Sequence, residues 1–146
     1  MKKLLLILIV CLVSFQSYCQ DFQMLDNSKI DSAKMKIAQK FSNDFYTQLS
    51  NGSYYKFNDE AIPQIKNQMT EDFQKATYKQ IKDNFGDFVS LNYSETWIQT
   101  SNPKMFIFRF KGKFNKSNDD LEIRVVIIEN GKIAGFFIKP WNNKLQ

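Results

Sequence analysis

The chain has 146 residues, with 20 lysines and arginines against 15 acidic residues, no histidine, and two cysteines, Cys11 and Cys19. Having no histidine, and no cysteine beyond position 19, it lacks the parts for histidine-based triads and dyads, thiolate nucleophiles, Cys/His zinc sites and ordinary haem ligation. Carboxylates, lysines, tyrosines and hydroxyls are the chemistry that remains.

Met1-Lys2-Lys3, the apolar run Leu4 to Phe15, and Ser17-Tyr18-Cys19-Gln20 read together as a secretory signal peptide over residues 1–19, cleaved before Gln20. The run is shorter than the ~20 apolar residues a membrane span requires. The expectation is an exported protein, periplasmic or extracellular, with no stable membrane span. A lipidated Cys19 is the competing reading, and bulky Tyr18 counts against it. Cleavage removes Lys2 and Lys3, so the formal net charge falls from +5 to +3. That is mildly basic, without the concentrated patch that nucleic acid would call for. The mature chain has no cysteine, so it folds without disulfides, and its length suits one domain.

Residues 20–27 are polar with isolated apolar side chains and read as an exposed leader to a single α+β domain over 28–146. Ser28 is expected to cap a helix in which Ile30, Ala33, Ile37, Ala38, Phe41, Phe45 and Leu49 form one stripe, ended by Asn51-Gly52. Tyr54, Tyr55 and Phe57 make an aromatic patch in a short helix or turn, and Pro63 interrupts the next segment. Thr70 caps a second helix, with Glu71 and Asp72 in its first turn and Phe73, Ala76, Thr77, Ile81 and Phe85 as its buried stripe. Gly86 ends it.

Beyond Gly86 the composition turns extended. Strands are predicted over Phe88 to Thr100, Met105 to Phe114, Leu121 to Ile128 and Ile133 to Lys139, the last pair joined at Asn130-Gly131 and stopped by Pro140. In the second of these, Phe106, Phe108, Phe110 and Phe114 share one face, and Met105, Ile107, Arg109, Lys111 and Lys113 the other. Helices followed by strands with short connections give an α+β fold, with the helices packed on one face of a four-stranded antiparallel meander.

Phe41 to Phe57 with its Asn51-Gly52 close, the helix through Gln80 and Ile81 into Gly86-Asp87-Phe88, and the run Asn130-Gly131-Lys132-Ile133-Ala134-Gly135-Phe136 before Pro140 carry a resemblance. From about Ala38 to Trp141 the chain resembles a small secreted bacterial domain of unknown function in the nuclear-transport-factor-2-like superfamily. The resemblance implies a cone-shaped α+β fold and brings no catalytic motif with it.

Such a fold places an apolar cavity between helices and sheet. Phe108, Phe110, Tyr93, Trp97 and Phe137 are the expected lining, with the alternative that these rings simply fill the core. The leading expectation is a non-catalytic binding or interaction domain for a small apolar ligand or an envelope protein, using neither cofactor nor metal. The alternative is a small cofactor-free isomerase or lyase. Glu95, sharing the parity of Tyr93 and Trp97, is its candidate catalytic acid. On the opposite face, Ile107, Val126, Ile128, Phe136 and Ile138 suggest a homodimer through the outer sheet surface, or a leader that folds back over it. Arg109, Lys111, Lys113 and Arg124 add a basic fringe there.

Overall fold

A computed structural model of the chain describes residues 22–100 and 102–145. The expected signal peptide, with Cys11 and Cys19, lies outside the described residues, as do Gln20, Asp21 and the turn residue Ser101. The elements are β1 (Phe22–Met24), α1 (Ser32–Ser50), α2 (Pro63–Gln68), α3 (Glu71–Phe85), β2 (Phe88–Gln99), β3 (Met105–Phe114), β4 (Leu121–Ile128) and β5 (Ile133–Pro140). The fold is α+β, with the strands forming one antiparallel sheet in the order β1-β2-β3-β4-β5.

The sheet has five described strands where the sequence suggested four. Part of the leader is the fifth: Phe22, Gln23 and Met24 pair with Gln99, Ile98 and Trp97 of β2. Isolated apolar residues in a polar stretch concealed this, because three residues are too few to show an alternating pattern.

The first helix also starts later than expected. Ser28 does not cap it but lies within a single 3-10 turn, Asn27–Lys29, which Asp26 caps by accepting from the Ser28 backbone N–H at 2.9 Å. Asp31 is the true cap of α1, accepting from the N–H groups of Ala33 and Lys34 at 3.0 Å each. Thr70 caps α3 as expected, and Gly86 closes it at φ +87°, in the left-handed region that favours glycine. The buried stripe of α3 is rotated from the expected one. Gln74, Tyr78 and Ile81 face the core, whereas Phe73 is 42% exposed.

Gln74 is the reason the rotation is tolerable. Its amide donates to the carbonyls of Tyr55 and Met69 and accepts from the Tyr55 N–H, all within 2.9 Å. A buried amide satisfied on both ends costs little, and here it ties the irregular 53–58 segment to α3.

The pairings contain three register shifts, one of them near the start of β2 between Phe88 and Ser90, and the other two decide which face the expected site residues occupy. The β2–β3 register shifts between Tyr93 and Glu95, leaving Ser94 as an extra residue. The β4–β5 register shifts where Val126 pairs with Gly135 and Ile127 with Ile133, leaving Ala134 as the extra one. Each inserted residue reverses the alternation beyond it.

Phe136 and Ile138, expected outside, therefore lie inside opposite Val125 and Ile123, and Phe137, expected inside, lies outside opposite Arg124. The helix-facing core combines Phe106, Phe108, Phe110, Val125, Ile127 and Phe136 with Ala38, Phe41, Phe45 and Leu49 of α1. Phe136 sits 4.9 Å from Phe41 and 5.1 Å from Phe45, centroid to centroid, in edge-to-face contact.

Candidate functional site

The helix–sheet interior is occupied by the protein's own side chains. Phe108, Phe110, Val125 and Ile127 have no exposure at all. Tyr93 stays on this side, edge-on to Phe110 at 6.0 Å, with its hydroxyl 2.9 Å from Thr96 Oγ1. Its polar end is thus satisfied within the protein. A depression of about 260 Å³ lies elsewhere, near the ends of α1 and α3, lined by Ser50, Ser53, Tyr78, Lys79 and Lys82 among others.

The opposite face of the sheet carries a charged cluster built across four strands. Arg109, central in β3, stands between Glu95 on β2 and Arg124 on β4. One row further along, Glu122 lies between Lys111 and Lys139. Arg109 grips Glu122 with two parallel bonds, Nε to Oε1 at 2.9 Å and Nη2 to Oε2 at 2.8 Å. Its Nη1 donates to Glu95 Oε1 and its Nη2 also to the backbone carbonyl of Asn142. The fork shape of guanidinium makes this possible, since its N–H groups point at partners in one plane. Arg124 donates from Nε to the same Glu122 Oε1, and Lys139 Nζ stands 3.9 Å from Oε2.

Aromatic rings frame these charges. Trp141 lies over Arg109, 4.5 Å from Cζ to the ring centroid, with Lys111 Nζ 4.8 Å from the same ring. Phe137 underlies Arg124 at 4.6 Å. The Trp97 indole donates to Glu95 Oε1 at 2.8 Å. A cation held over a ring face is attracted by the ring quadrupole, more strongly where water is excluded. Arg109 and Glu122 have no exposed surface, and Arg124 has 6%.

The electrostatics follow from burial and pairing. Burial alone would raise the Glu122 carboxyl, but bonds from Arg109 and Arg124 outweigh it and hold the group below its ordinary range. Arg109 is likewise subject to burial that would lower it, and Glu122 and Glu95 hold it above its usual value. Arg124 and Lys139 are both lowered, first by burial; Arg109 contributes in both, and Arg124 in Lys139. These carboxylates are engaged by cations, an arrangement that holds charge in place rather than one poised to move a proton.

The residues expected to share one cavity are thereby divided between two faces. Tyr93, Phe108 and Phe110 lie inside. Glu95, Trp97 and Phe137 lie outside, because the extra residues at Ser94 and Ala134 turn them over. Glu122 and Trp141 escaped notice in the sequence, although Glu122-x-Arg124 in a strand opposite Lys111 and Arg109 is a visible signal for a cross-strand charge pair. Trp141 comes after the last strand, and no periodicity marks it. Among the described residues, no group of three or more acidic, cysteine or histidine side chains is placed to hold a metal ion, and no helix is long and apolar enough to cross a membrane.

An antiparallel sheet covered by helices on one face and bearing a buried ion network on the other defines a small α+β domain with two chemically distinct sheet surfaces. The chain belongs to the family described as protein of unknown function (DUF3887), which matches residues 42–136. The match runs from α1 to β5, taking in Glu95, Arg109, Glu122 and Arg124 and stopping one residue before Phe137. No curated protein and no solved structure matches the chain.

Proposed function

We propose that this is an exported, non-catalytic interaction domain that works through the outer face of its sheet. The observation that carries the reading is the combination on that face of a buried Arg–Glu network with an adjoining row of apolar side chains: Met24, Trp97, Ile107 and Val126, aligned across β1 to β4. Met24 is 61% exposed, Trp97 and Val126 are partly exposed, and Ile107 between them is buried. Exposed apolar side chains contiguous with fixed charges are the usual makings of a protein interface. The packed interior lends no support to a pocket for an apolar ligand. The engagement of Glu95 by Arg109 and Trp97 lends none to an isomerase or lyase.

The helix-covered antiparallel sheet supports placing the domain within the nuclear-transport-factor-2-like superfamily. A homodimer would use this same outer face. Two of the five residues that suggested it, Phe136 and Ile138, belong to the core, so the apolar area available to a second copy is smaller than the sequence implied.

The test is a photo-crosslinking residue introduced at Met24, with one at Val89 as the control. Val89 is 62% exposed and belongs to the other end of β2. Crosslinks to a protein in the native envelope from position 24 and few from position 89 are the expected outcome. Equal or absent crosslinking from position 24 rejects the reading.

A further inference from the structure

We infer that two copies of this chain join edge to edge through β2, so that their sheets run on as one. β2 has 12 residues, and β1 pairs with only the last three, Trp97 to Gln99, on the side away from β3. The Leu25 N–H then takes the Thr96 carbonyl at 2.9 Å, and the chain leaves the edge for the Asn27–Lys29 turn and α1. Among the described residues, no backbone pairs with that side of β2 from Val89 to Glu95. Thr96 faces β1, and with one extra residue at Ser94 the residues that turn their backbone groups off the same edge become Tyr93 and Leu91. An open row of N–H and C=O groups is a template for another strand.

The composition of the open stretch selects a second copy as its occupant. Sheet edges are ordinarily blunted by charge, proline or cover. The β5 edge has all three: Glu60 and Ile62 bond Ile133 across it, and Lys139 and Pro140 end it. Phe88 to Ser94 reads FVSLNYS, without charge or proline, and Val89 is 62% exposed. Paired antiparallel with itself about a two-fold axis, this stretch centres on Leu91, its middle residue. Leu91 then meets its own counterpart, Tyr93 meets Val89 and Asn92 meets Ser90, and no charge stands opposite another. Leu91 and Tyr93, partly exposed, pack against the core from the helix side, so apolar meets apolar there, while Ser90 and Asn92 lie on the other face. Centring on Tyr93 instead would set Glu95 against Leu91. The bulges at Val89 and Ser94 leave Ser90 to Tyr93 as the regular ladder, which makes the interface small and the dimer reversible. This seat is separate from the outer sheet face, where the apolar area open to a second copy is reduced, and it leaves that face free.

The experiment is sedimentation of the mature full chain over a range of concentrations, which should show a monomer–dimer equilibrium. Val89→Lys and Asn92→Lys replace exposed side chains, and circular dichroism should show both folded. Each should raise the dissociation constant by about tenfold or more, because two copies bring two cations into an uncharged ladder. The mature chain has no cysteine, so Leu91→Cys tests the register. The pairing sets this residue opposite itself at about 5.5 Å between Cα atoms, within reach of a disulfide. Mild oxidation should link it far more completely than Lys36→Cys on the exposed side of α1. In the crosslinking test above, position 89 should join two copies of this chain, a product of twice the chain mass that is counted apart from any crosslink to a different protein.

A chain that stays monomeric at about 1 mM overturns the inference. So does a dimer that Met24→Lys dissociates and the two edge lysines do not, which places the second copy on the outer face. Crosslinking from position 89 to a different protein overturns it too, since a foreign strand then holds the edge. The reading of the outer face turns on what position 24 reaches, and it stands or falls apart from the edge dimer.

Discussion

Glu122→Gln is the sharpest perturbation of the outer-face network. The substitution keeps the size of the side chain and removes the charge that Arg109 grips with two bonds and Arg124 with one. Removing one member of a buried pair costs about 3–5 kcal/mol, because the partner charge is left uncompensated where water does not reach. Glu95 still engages Arg109, so the lower end of that range applies. Against a total stability of roughly 5–15 kcal/mol this is a large fraction. For a domain of this length, between the size classes for which the shift is known, it lowers the melting temperature by roughly 10–15 °C.

Thermal unfolding followed by circular dichroism measures it, with Asp83→Asn as the comparator. That variant breaks only the exposed Lys79–Asp83 pair and should leave the midpoint nearly unchanged. Acid provides a second reading. The folded Glu122 carboxyl lies below its ordinary value of 4.5, so its contribution is complete above that pH and is lost as pH falls through the folded value. The gap between wild type and Glu122→Gln should therefore narrow on acidification below about pH 4.5. A Glu122→Gln midpoint within about 3 °C of wild type at neutral pH, equivalent to ~1 kcal/mol or less, would refute the reasoning.

Gly86→Ala should destabilise far more than Gly52→Ala, by an extra ~1 kcal/mol or more in urea denaturation. Both glycines have positive φ, but a Cβ at 86 would lie 2.0 Å from Asn115 Oδ1 and 2.8 Å from the Lys116 nitrogen, whereas one at 52 meets nothing within 4 Å. Gln74→Leu leaves the Tyr55 N–H and the carbonyls of Tyr55 and Met69 without their partner, at ~1–3 kcal/mol for each group that stays buried. Faster hydrogen exchange at the Tyr55 amide is the specific sign, and unchanged exchange counts against it. Phe136→Ala should cost about 3–5 kcal/mol and Phe137→Ala markedly less, since only the first empties core space. Equal losses would mean that the alternation in β5 is not reversed at Ala134.

The fold class was legible because hydrophobic period and turn chemistry agree through most of the chain. The stripe from Ala38 to Leu49, the Thr70 cap, the Gly86 stop, the Asn130-Gly131 turn and the alternation in β3 each have a local cause and a local signal. The outer site was not legible in the same way. Tyr93, Glu95 and Trp97 share a parity in the sequence, and only the register against Arg109 and Phe110 shows that one extra residue parts them. Bulges of this kind arise from how two strands pair, and neither Ser94 nor Ala134 announces one alone. Arg109 and Arg124 were visible as basic residues on a strand face, but a charge on a face reads as solvated until its cover and its partner are known. Both lie elsewhere in the chain, at Glu122 and in the tail at Trp141 and Asn142.

That dependence on distant partners explains why the network and the tail form one unit. Past Pro140 the chain has left the sheet ladder. Trp141 keeps a bond from its N–H to the Asp120 carbonyl at 3.3 Å, toward the long end of the range. The carbonyl of Asn142 is held by Arg109, and the Trp141 ring by the cations beneath and beside it. Glu122 and Glu95 fix the plane of the Arg109 guanidinium, and that plane decides where the tail carbonyl must sit. A buried ion pair contributes little net stability compared with apolar residues of the same volume. What it adds here is direction: an apolar side chain at 109 could fill the space, but it would give Trp141 and Asn142 no single place to dock. The two bulges complete the arrangement, since they bring Glu95 and Phe137 to the face where Arg109 and Arg124 already point. The outer surface is in this sense a product of strand register, assembled from four strands and the tail that leaves the last of them.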